Sequence, residues 1–206
     1  MVKIVFRKLN KSDLPYLKSM LTDIWEIERF TAGNQILANH IISSILYADL
    51  INHNYSEIAL CDHRVVGILL ARIGNDKEFH PLWKLKEFYH SLCLKISRNN
   101  RNLQEYEKVN NSFKKLLANR PCASELIFFM VASSMRGQGV GKSLITHYFD
   151  KCSSQDIHEL CLVTDTQCNY EYYNKAGFTL EAHESFPVNL STGEVNHETF
   201  LYTYKP

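Results

Sequence analysis

Residues 131–143, VASSMRGQGVGKS, decide the fold of this chain. Three of the eight glycines in the sequence fall within residues 137–141. Residues 125–131, ELIFFMV, predict a buried strand, and the apolar side chains of residues 144–149 recur at helical spacing. A glycine turn between a strand and the start of a helix leaves backbone N–H groups free, and these favour an anion such as phosphate. The segment therefore predicts a strand, a pyrophosphate-binding turn and a helix.

Two common phosphate-binding patterns do not fit this turn. A Walker A loop requires a glycine five residues before Gly141, where the sequence has Arg136. The dinucleotide pattern GxGxxG, started at Gly137, requires a glycine at the position of Lys142. The sequence therefore disfavours a P-loop nucleotide enzyme, and it leaves open a glycine turn that binds no ligand.

The composition is that of a soluble globular protein. The 206 residues suggest one domain, with 45% hydrophobic and 22% charged residues. A formal net charge of +1 argues against nucleic acid or an anionic membrane as a partner. No apolar run approaches the length of a membrane span, and the N-terminus lacks the apolar core of a signal peptide. We therefore expect a cytoplasmic protein.

The cysteines and histidines suggest neither a disulfide framework nor a metal site. Six cysteines are scattered without a CxxC pair, and the nine histidines show no metal-ligand spacing. We expect reduced, mostly buried thiols and no metal.

The order of the predicted elements describes a mixed α/β domain. A strand, two helices and a pair of strands precede the strand and helix around the glycine turn, and three strands follow them. The predicted strands lie at residues 2–6, 57–61, 65–73, 125–131, 158–163, 178–182 and 197–204, and the first two helices at about 14–27 and 36–48.

Residues 76–120 interrupt this order between the third and fourth strands. Their apolar side chains form two helical stripes separated by the polar residues 99–102. The pattern predicts a helical hairpin inserted into a single domain of residues 1–206, longer than an ordinary connection. Two interpretations stay open: the insertion is a packing or dimerisation element, or it covers the substrate site.

A second distinctive block spans residues 169–178, NYEYYNKAGF. It predicts a short helix from Asn169 to about Ala176 that ends at Gly177, since glycine readily takes the left-handed position after a helix. Tyr173 lies one helical turn after Asn169, so the two residues share a face.

The two blocks together resemble the GNAT (Gcn5-related N-acetyltransferase) superfamily. Residues 136–141 match its pattern Arg/Gln-x-x-Gly-x-Gly/Ala, and residues 169–178 match its second signature. Ser133 departs from the pattern, because many relatives have proline there. The resemblance implies an α/β fold of the GNAT acyl-CoA N-acyltransferase type, with a mixed sheet.

The resemblance also implies an activity. Such proteins transfer an acetyl group from acetyl-CoA, the co-substrate, to a primary amine of a small molecule or peptide, by direct attack through a tetrahedral intermediate. The alternative is a non-catalytic module of the same fold that senses or binds acyl-CoA. A homodimer is compatible with either function.

The glycine turn would hold the pyrophosphate of acetyl-CoA. Backbone N–H groups of the turn would contact it, and Lys142 would add positive charge. The residues that the resemblance assigns to this turn are Arg136, Gly137, Gln138, Gly139, Val140, Gly141 and Lys142.

Further roles follow from the resemblance. The pantetheine arm would lie near Val131 and Ser133 and bond Asn169, while the Val131 N–H would polarise the thioester carbonyl. Tyr173 would protonate the departing thiolate. Glu125 resembles the general base of the histone acetyltransferase branch; a solvated carboxylate or a water relay to another group are the alternatives. Alternation predicts that Glu125, Ile127, Phe129 and Val131 share one face of the strand.

The joint between the first two helices is a candidate lining of the acceptor pocket. The residues concerned are Trp25, Glu26, Glu28 and Phe30. A solvated helix end is the alternative interpretation.

Overall fold

A computed structural model describes residues 3–25, 27–76, 80–97 and 101–205, apart from the side chains of residues 24, 101 and 102. The described residues fold around a seven-stranded sheet with the strand order β1-β2-β3-β4-β5-β7-β6. Neighbouring strands are antiparallel except β4 and β5, which are parallel. The strands are β1 (Ile4–Arg7), β2 (Tyr55–Cys61), β3 (Arg64–Ile73), β4 (Ser124–Val131), β5 (Leu160–Asp165), β6 (Thr179–Leu190) and β7 (Gly193–Tyr204).

Helices cover both faces of the sheet. Successive side chains of β3 alternate between the faces: Ile68 packs in the cluster with α1 and α3, and Leu69 in the cluster with α6. Both side chains are fully buried, so β3 lies at the centre of the fold. The helices are α1 (Leu14–Trp25), α2 (Glu28–Thr31), α3 (Gln35–Asn52), α4 (Pro81–Ile96), α5 (Arg101–Asn119), α6 (Val140–Ser153) and α7 (Glu171–Lys175).

The predicted fold class is confirmed, with one strand much longer than predicted. The strand predicted at residues 178–182 extends to Leu190, and its partner β7 begins at Gly193. Pro187 concealed this length, because proline cannot donate to a sheet ladder and argues against a central strand. β6 is an edge strand, so proline is tolerated there.

Two helices connect β3 to β4, where the sequence predicts two helical stripes. α4 packs along α3, whereas α5 packs against α2 and strands β5, β6 and β7. Because the two helices contact different elements, the predicted hairpin arrangement is not confirmed. Residues 99 and 100 of the predicted turn lie outside the described residues.

Two of the six cysteines form a disulfide. The sulfur atoms of Cys122 and Cys161 lie within bonding distance. The expectation of six reduced thiols is therefore wrong for this pair, whose members are 39 residues apart and meet only because β4 pairs with β5. The other four cysteines are free, and only Cys152 among them is buried.

No group of three or more histidine, cysteine, aspartate or glutamate side chains among the described residues is arranged to hold a metal ion. In the same residues, no helix combines the length and the apolar character required to cross a membrane.

Candidate active site

The glycine turn leads directly into α6. Gly137 and Gly139 have φ of +75° and +81°, conformations that other residues rarely adopt. Gly139 is the N-cap of α6, and no side chain caps the helix. The first N–H groups of α6 are therefore open to an anion, and the helix dipole favours negative charge at this end.

Two glycines bring the start of α6 close to the sheet. A Cβ atom on Gly141 would lie 3.2 Å from Phe129 Cζ and 3.4 Å from Val131 Cγ2. A Cβ atom on Gly67 of β3 would lie 3.1 Å from Leu144 Cδ1. Gly67 was not predicted from the sequence as part of the site, although an isolated glycine inside a strand indicates a close backbone approach.

The side chains of the turn differ in exposure. Arg136, Gln138 and Lys142 are exposed, and Gln138 Nε2 donates a hydrogen bond of 3.1 Å to a backbone carbonyl of the turn. Val140 is buried, so only its backbone can face a ligand. Ser133 is exposed and begins a short 3-10 turn, so it lies outside β4. Arg136 and Lys142 are thus exposed cationic residues within three positions of the N-cap of α6.

A gap opens between β4 and β5. The strands pair only over two residue pairs, of which the last is Glu125 with Cys161. The Ala132 N–H donates to the Val66 carbonyl of β3 over 2.9 Å. Because successive N–H groups of a strand alternate in direction, the Val131 N–H points to the other side, into the gap. This orientation agrees with its predicted role as a donor to a carbonyl oxygen.

A β-bulge in β4 separates Glu125 from Val131. The register with β3 skips Ile127, which is therefore an extra residue. Phe129 and Val131 pack in the cluster around α6, and Ile127 packs in the cluster with α1 and α3. Ser124 Oγ hydrogen-bonds a tyrosine of α6 over 2.6 Å, so its neighbour Glu125 points to the α3 side. The prediction that Glu125, Ile127, Phe129 and Val131 share one face is wrong.

Glu125 is engaged in an ion pair. Its Oε2 lies 3.1 Å from Arg72 Nη2, and both side chains are mostly shielded from solvent. Val131 lies six positions after Glu125 along β4, or roughly 20 Å at about 3.3 Å per residue. The structure therefore does not bring these two predicted catalytic residues to the same reacting atom.

The far side of the gap is formed by α7. This helix begins at Glu171, two residues later than predicted, and Gly177 follows it with the expected positive φ of +88°. Asn169 is exposed before the helix. The ring of Tyr172 reaches towards β4, where its centroid lies 5.7 Å from that of Phe129.

Tyr173 lies on a different side of α7. Its ring centroid is 5.5 Å from that of Phe178 and 5.7 Å from that of Tyr202. Burial raises the pKa of the Tyr173 phenol well above its usual range, with smaller contributions from Cys168 and the neighbouring tyrosines. The hydroxyl therefore stays protonated at physiological pH, as a proton donor requires.

A cavity of about 320 Å³ lies between the end of α1, the loop after β5 and the β6–β7 hairpin. Of the residues predicted to line an acceptor pocket, Trp25 lines this cavity and Phe30 is buried in the core. Glu28 is exposed and lines a different depression, and Glu26 lies outside the described residues. The lining residues are Trp25, Arg29, Thr166, Gln167, Leu190, Val195, Asn196 and His197.

A buried pair of titratable groups adjoins the cavity. His197 Nε2 lies 3.6 Å from Asp165 Oδ2, and both side chains are more than 90% buried. Among the described residues, His197 Nε2 has no hydrogen-bond partner. Burial raises the pKa of Asp165 and lowers the pKa of His197. This pair was not predicted from the sequence, since the two residues are 32 positions apart and meet only across the β5–β7 ladder.

Cys168 connects the cavity to α7. Trp25 Nε1 donates a hydrogen bond of 3.3 Å to its sulfur. The same thiol lies close enough to Tyr173 to contribute to the raised pKa of the phenol. Cys168 is therefore hydrogen-bonded to Trp25 of the cavity lining and precedes α7 in the chain.

Known proteins share this architecture. The family model of the Acetyltransferase (GNAT) domain matches residues 106–189, which include β4, the glycine turn, α6, β5 and α7. Comparison with curated proteins finds no match.

Solved structures agree with the fold at low sequence identity. NAA60 of Arabidopsis thaliana, in complex with a bisubstrate analogue, is 15% identical with a TM-score of 0.55, and the match covers 98% of each chain. A GNAT-family acetyltransferase from Streptococcus pneumoniae is 14% identical with a TM-score of 0.54, covering 99% of this chain and 100% of that one. The ribosomal-protein-S18-alanine N-acetyltransferase of Escherichia coli is 11% identical with a TM-score of 0.52, covering 98% and 94%. At these identities the similarity shows the fold alone.

Proposed function

We propose that this chain, a member of the GNAT acetyltransferase superfamily, transfers an acetyl group from acetyl-CoA to a primary amine of a small molecule or peptide. One observation carries the proposal. The uncapped start of α6 adjoins the gap between β4 and β5, and the Val131 N–H points into that gap.

The residues present fit acetyl-CoA as the co-substrate. The open N–H groups of α6 suit a pyrophosphate, with Arg136 and Lys142 exposed beside them. The unpaired edge of β4 suits an extended arm with amide groups, since a strand edge offers hydrogen bonds to such a chain. Acetyl-CoA would supply the acetyl group as an activated thioester.

Val131 and Tyr173 have complementary roles in this proposal. The Val131 N–H donates a hydrogen bond to the oxygen on which negative charge develops, which lowers the barrier to attack. Tyr173 holds a proton at its hydroxyl because burial keeps the phenol neutral, and it gives this proton to the leaving sulfur.

We place the acceptor amine in the cavity beside His197. A primary amine reaches the site mostly as an ammonium ion and has to lose a proton before it can attack. Neutral His197 lines this cavity and its Nε2 has no hydrogen-bond partner among the described residues, whereas the Glu125 carboxylate is held by Arg72. Asp165, 3.6 Å from the imidazole, stabilises the resulting positive charge. His197 therefore replaces Glu125 as the proposed general base.

The Tyr173→Phe variant tests the proposed function. Acetyl-CoA affinity is measured by isothermal titration calorimetry, and acetyl transfer by the release of free CoA with a broad panel of amines and N-terminal peptides. We expect affinity within about twofold of wild type and turnover lower by roughly 10²- to 10⁴-fold, as for a lost general acid. Tyr170→Phe is the matched control, because it removes the same hydroxyl three residues earlier in the chain.

The outcomes separate the competing interpretations. Unchanged turnover in Tyr173→Phe removes Tyr173 from the mechanism. A wild-type protein that binds acetyl-CoA tightly but acetylates no amine supports the non-catalytic acyl-CoA-binding module. A wild-type protein that binds ATP instead of acetyl-CoA contradicts both the acetyltransferase and the acyl-CoA-binding module, because both assign the glycine turn to the pyrophosphate of acetyl-CoA.

A further inference from the structure

Helix α4 presents a strip of large apolar side chains to solvent. Among the described residues, six of the ten exposed large hydrophobic side chains lie on this one helix. Patches of several hundred Å² on a soluble protein usually mark an interaction surface. The α4 strip consists of Leu82, Leu85, Phe88, Tyr89, Leu92 and Ile96, with exposed fractions of 58, 65, 62, 56, 44 and 78%.

The inner face of α4 contributes Leu94 and Trp83 to the core and otherwise makes polar contacts with α3. His90 Nδ1 lies 2.9 Å from His40 Nδ1 of α3, and Ser91 Oγ lies 3.2 Å from Ser44 Oγ. A helix that packs on its domain and meets water on its other side normally has the opposite arrangement. Packing against α3 therefore does not account for the outer residues.

The spacing of the strip matches a helix-pairing seam. Residues 82, 85, 89, 92 and 96 follow one another at intervals of three and four, the a and d pattern of paired helices. None of the six side chains is charged. Lys86, at the edge of the strip, is directed inward, with Nζ 5.3 Å from the centroid of the Tyr47 ring on α3.

We propose that the α4 strip is a homodimer interface, in which the strips of two copies pack face to face about a two-fold axis. Six side chains of roughly 200 Å² each, about 60% exposed, provide roughly 700 Å² per chain. Two copies would bury about 1,400 Å², within the range of stable interfaces. Because both copies use the same surface, assembly stops at a dimer, and neither α4 strip stays exposed.

The position of α4 supports this choice of partner. α4 packs along α3, and none of its residues lines the cavity beside His197. The dimer therefore leaves the proposed acceptor cavity open. This inference concerns assembly only, so it stands or fails independently of acetyl transfer.

Sedimentation velocity with a double variant tests the interface. The molar mass measured for the wild-type protein is expected to be twice the 23.9 kDa of one chain. Leu85→Glu with Leu92→Glu is expected to sediment as a monomer, with a dissociation constant raised by at least ~100-fold, because each change buries an unpaired charge in the seam. Ile36→Glu is the matched control, since Ile36 is 74% exposed on α3, outside the strip.

Circular dichroism and acetyl-CoA binding verify that the double variant is folded. A monomeric wild-type protein at 100 µM overturns the proposal, and so does a double variant that remains dimeric. A wild-type monomer that binds vesicles of phosphatidylcholine and phosphatidylserine through these residues overturns it too, and assigns the strip to a membrane surface. If the double variant unfolds, Leu85→Gln alone replaces it, with a weaker dimer as the required result.

Discussion

Replacing Gly139 by alanine separates the role of the glycine turn in ligand binding from its role in folding. Gly139 has φ of +81°, and no atom lies within 4 Å of the position a Cβ would take. The cost is therefore one of backbone strain alone, about 1–2 kcal/mol for a residue with a side chain. Alanine also lowers the conformational entropy of the unfolded chain, which offsets about 0.4–1 kcal/mol of the strain energy. The free energy of unfolding should therefore fall by about 1 kcal/mol.

The effect on acetyl-CoA affinity is separate. If the turn of the variant relaxes to relieve the strain, the N–H groups at the start of α6 move away from their binding positions. Binding of acetyl-CoA then has to return them to these positions, which costs the strain energy again. If the full 1–2 kcal/mol is recovered from the binding energy, the dissociation constant rises about 5- to 30-fold. Urea denaturation measures the loss of stability, and isothermal titration calorimetry measures the affinity.

Gly33→Ala is the matched control for this experiment. Gly33 has φ of +80°, equally open surroundings and a position between α2 and α3, away from the start of α6. Both variants should lose similar stability, and only Gly139→Ala should lose affinity. An affinity for acetyl-CoA that is unchanged in Gly139→Ala, despite the expected destabilisation, would refute the assignment of the turn to the pyrophosphate.

Two further predictions concern titratable groups. Glu125→Gln should leave turnover within about threefold of wild type and reduce stability by up to ~1 kcal/mol, as expected for an ion pair with Arg72 whose side chains are 21% and 25% exposed. A 10²-fold or larger loss of turnover, with His197→Gln active, would return the base role to Glu125. The pKa of His90 is lowered from 6.5 to about 4, first by burial, then by His40, and then by Lys18 and Lys86. Since the unfolded chain takes up this proton near pH 6.5, the contribution of neutral His90 to stability is complete above pH 6.5 and is lost as the pH falls towards 4. Melting temperatures at pH 7 and 5 should show this fall, and it should be smaller in His90→Gln.

Local signals in the sequence were sufficient for the fold. The apolar run of β4, the glycine turn and the helical spacing after it are contiguous, so no distant contact is needed to interpret them. Gly177 was predicted for the same reason, because a left-handed residue after a helix depends on its own backbone. The resemblance of these two blocks to the GNAT superfamily agrees with the Acetyltransferase (GNAT) domain model, which matches residues 106–189.

The features that were missed depend on contacts between distant segments. The bulge at Ile127 is visible only in the register of β4 against β3, and it moves Glu125 to the other face. The disulfide and the pairing of His197 with Asp165 both require neighbouring strands to be aligned first. A single sequence records the residue types of such pairs but not which residues meet.

The orientation of α4 is another feature that depends on contacts between distant segments. The helical stripe was visible in the sequence, and it was interpreted as either a packing or dimerisation element or a cover. Which side of α4 faces the domain depends on its polar contacts with α3, including His40 with His90. The apolar side therefore remained for a partner, contrary to the usual interpretation of an amphipathic pattern.

A crystal structure of the protein with CoA tests the central claim most directly. The proposed function predicts the pyrophosphate within hydrogen-bond distance of the N–H groups of residues 137–141. It also predicts the arm along the open edge of β4, and the sulfur between the Val131 N–H and the Tyr173 hydroxyl. A pyrophosphate bound elsewhere, or a sulfur remote from both residues, would contradict the account.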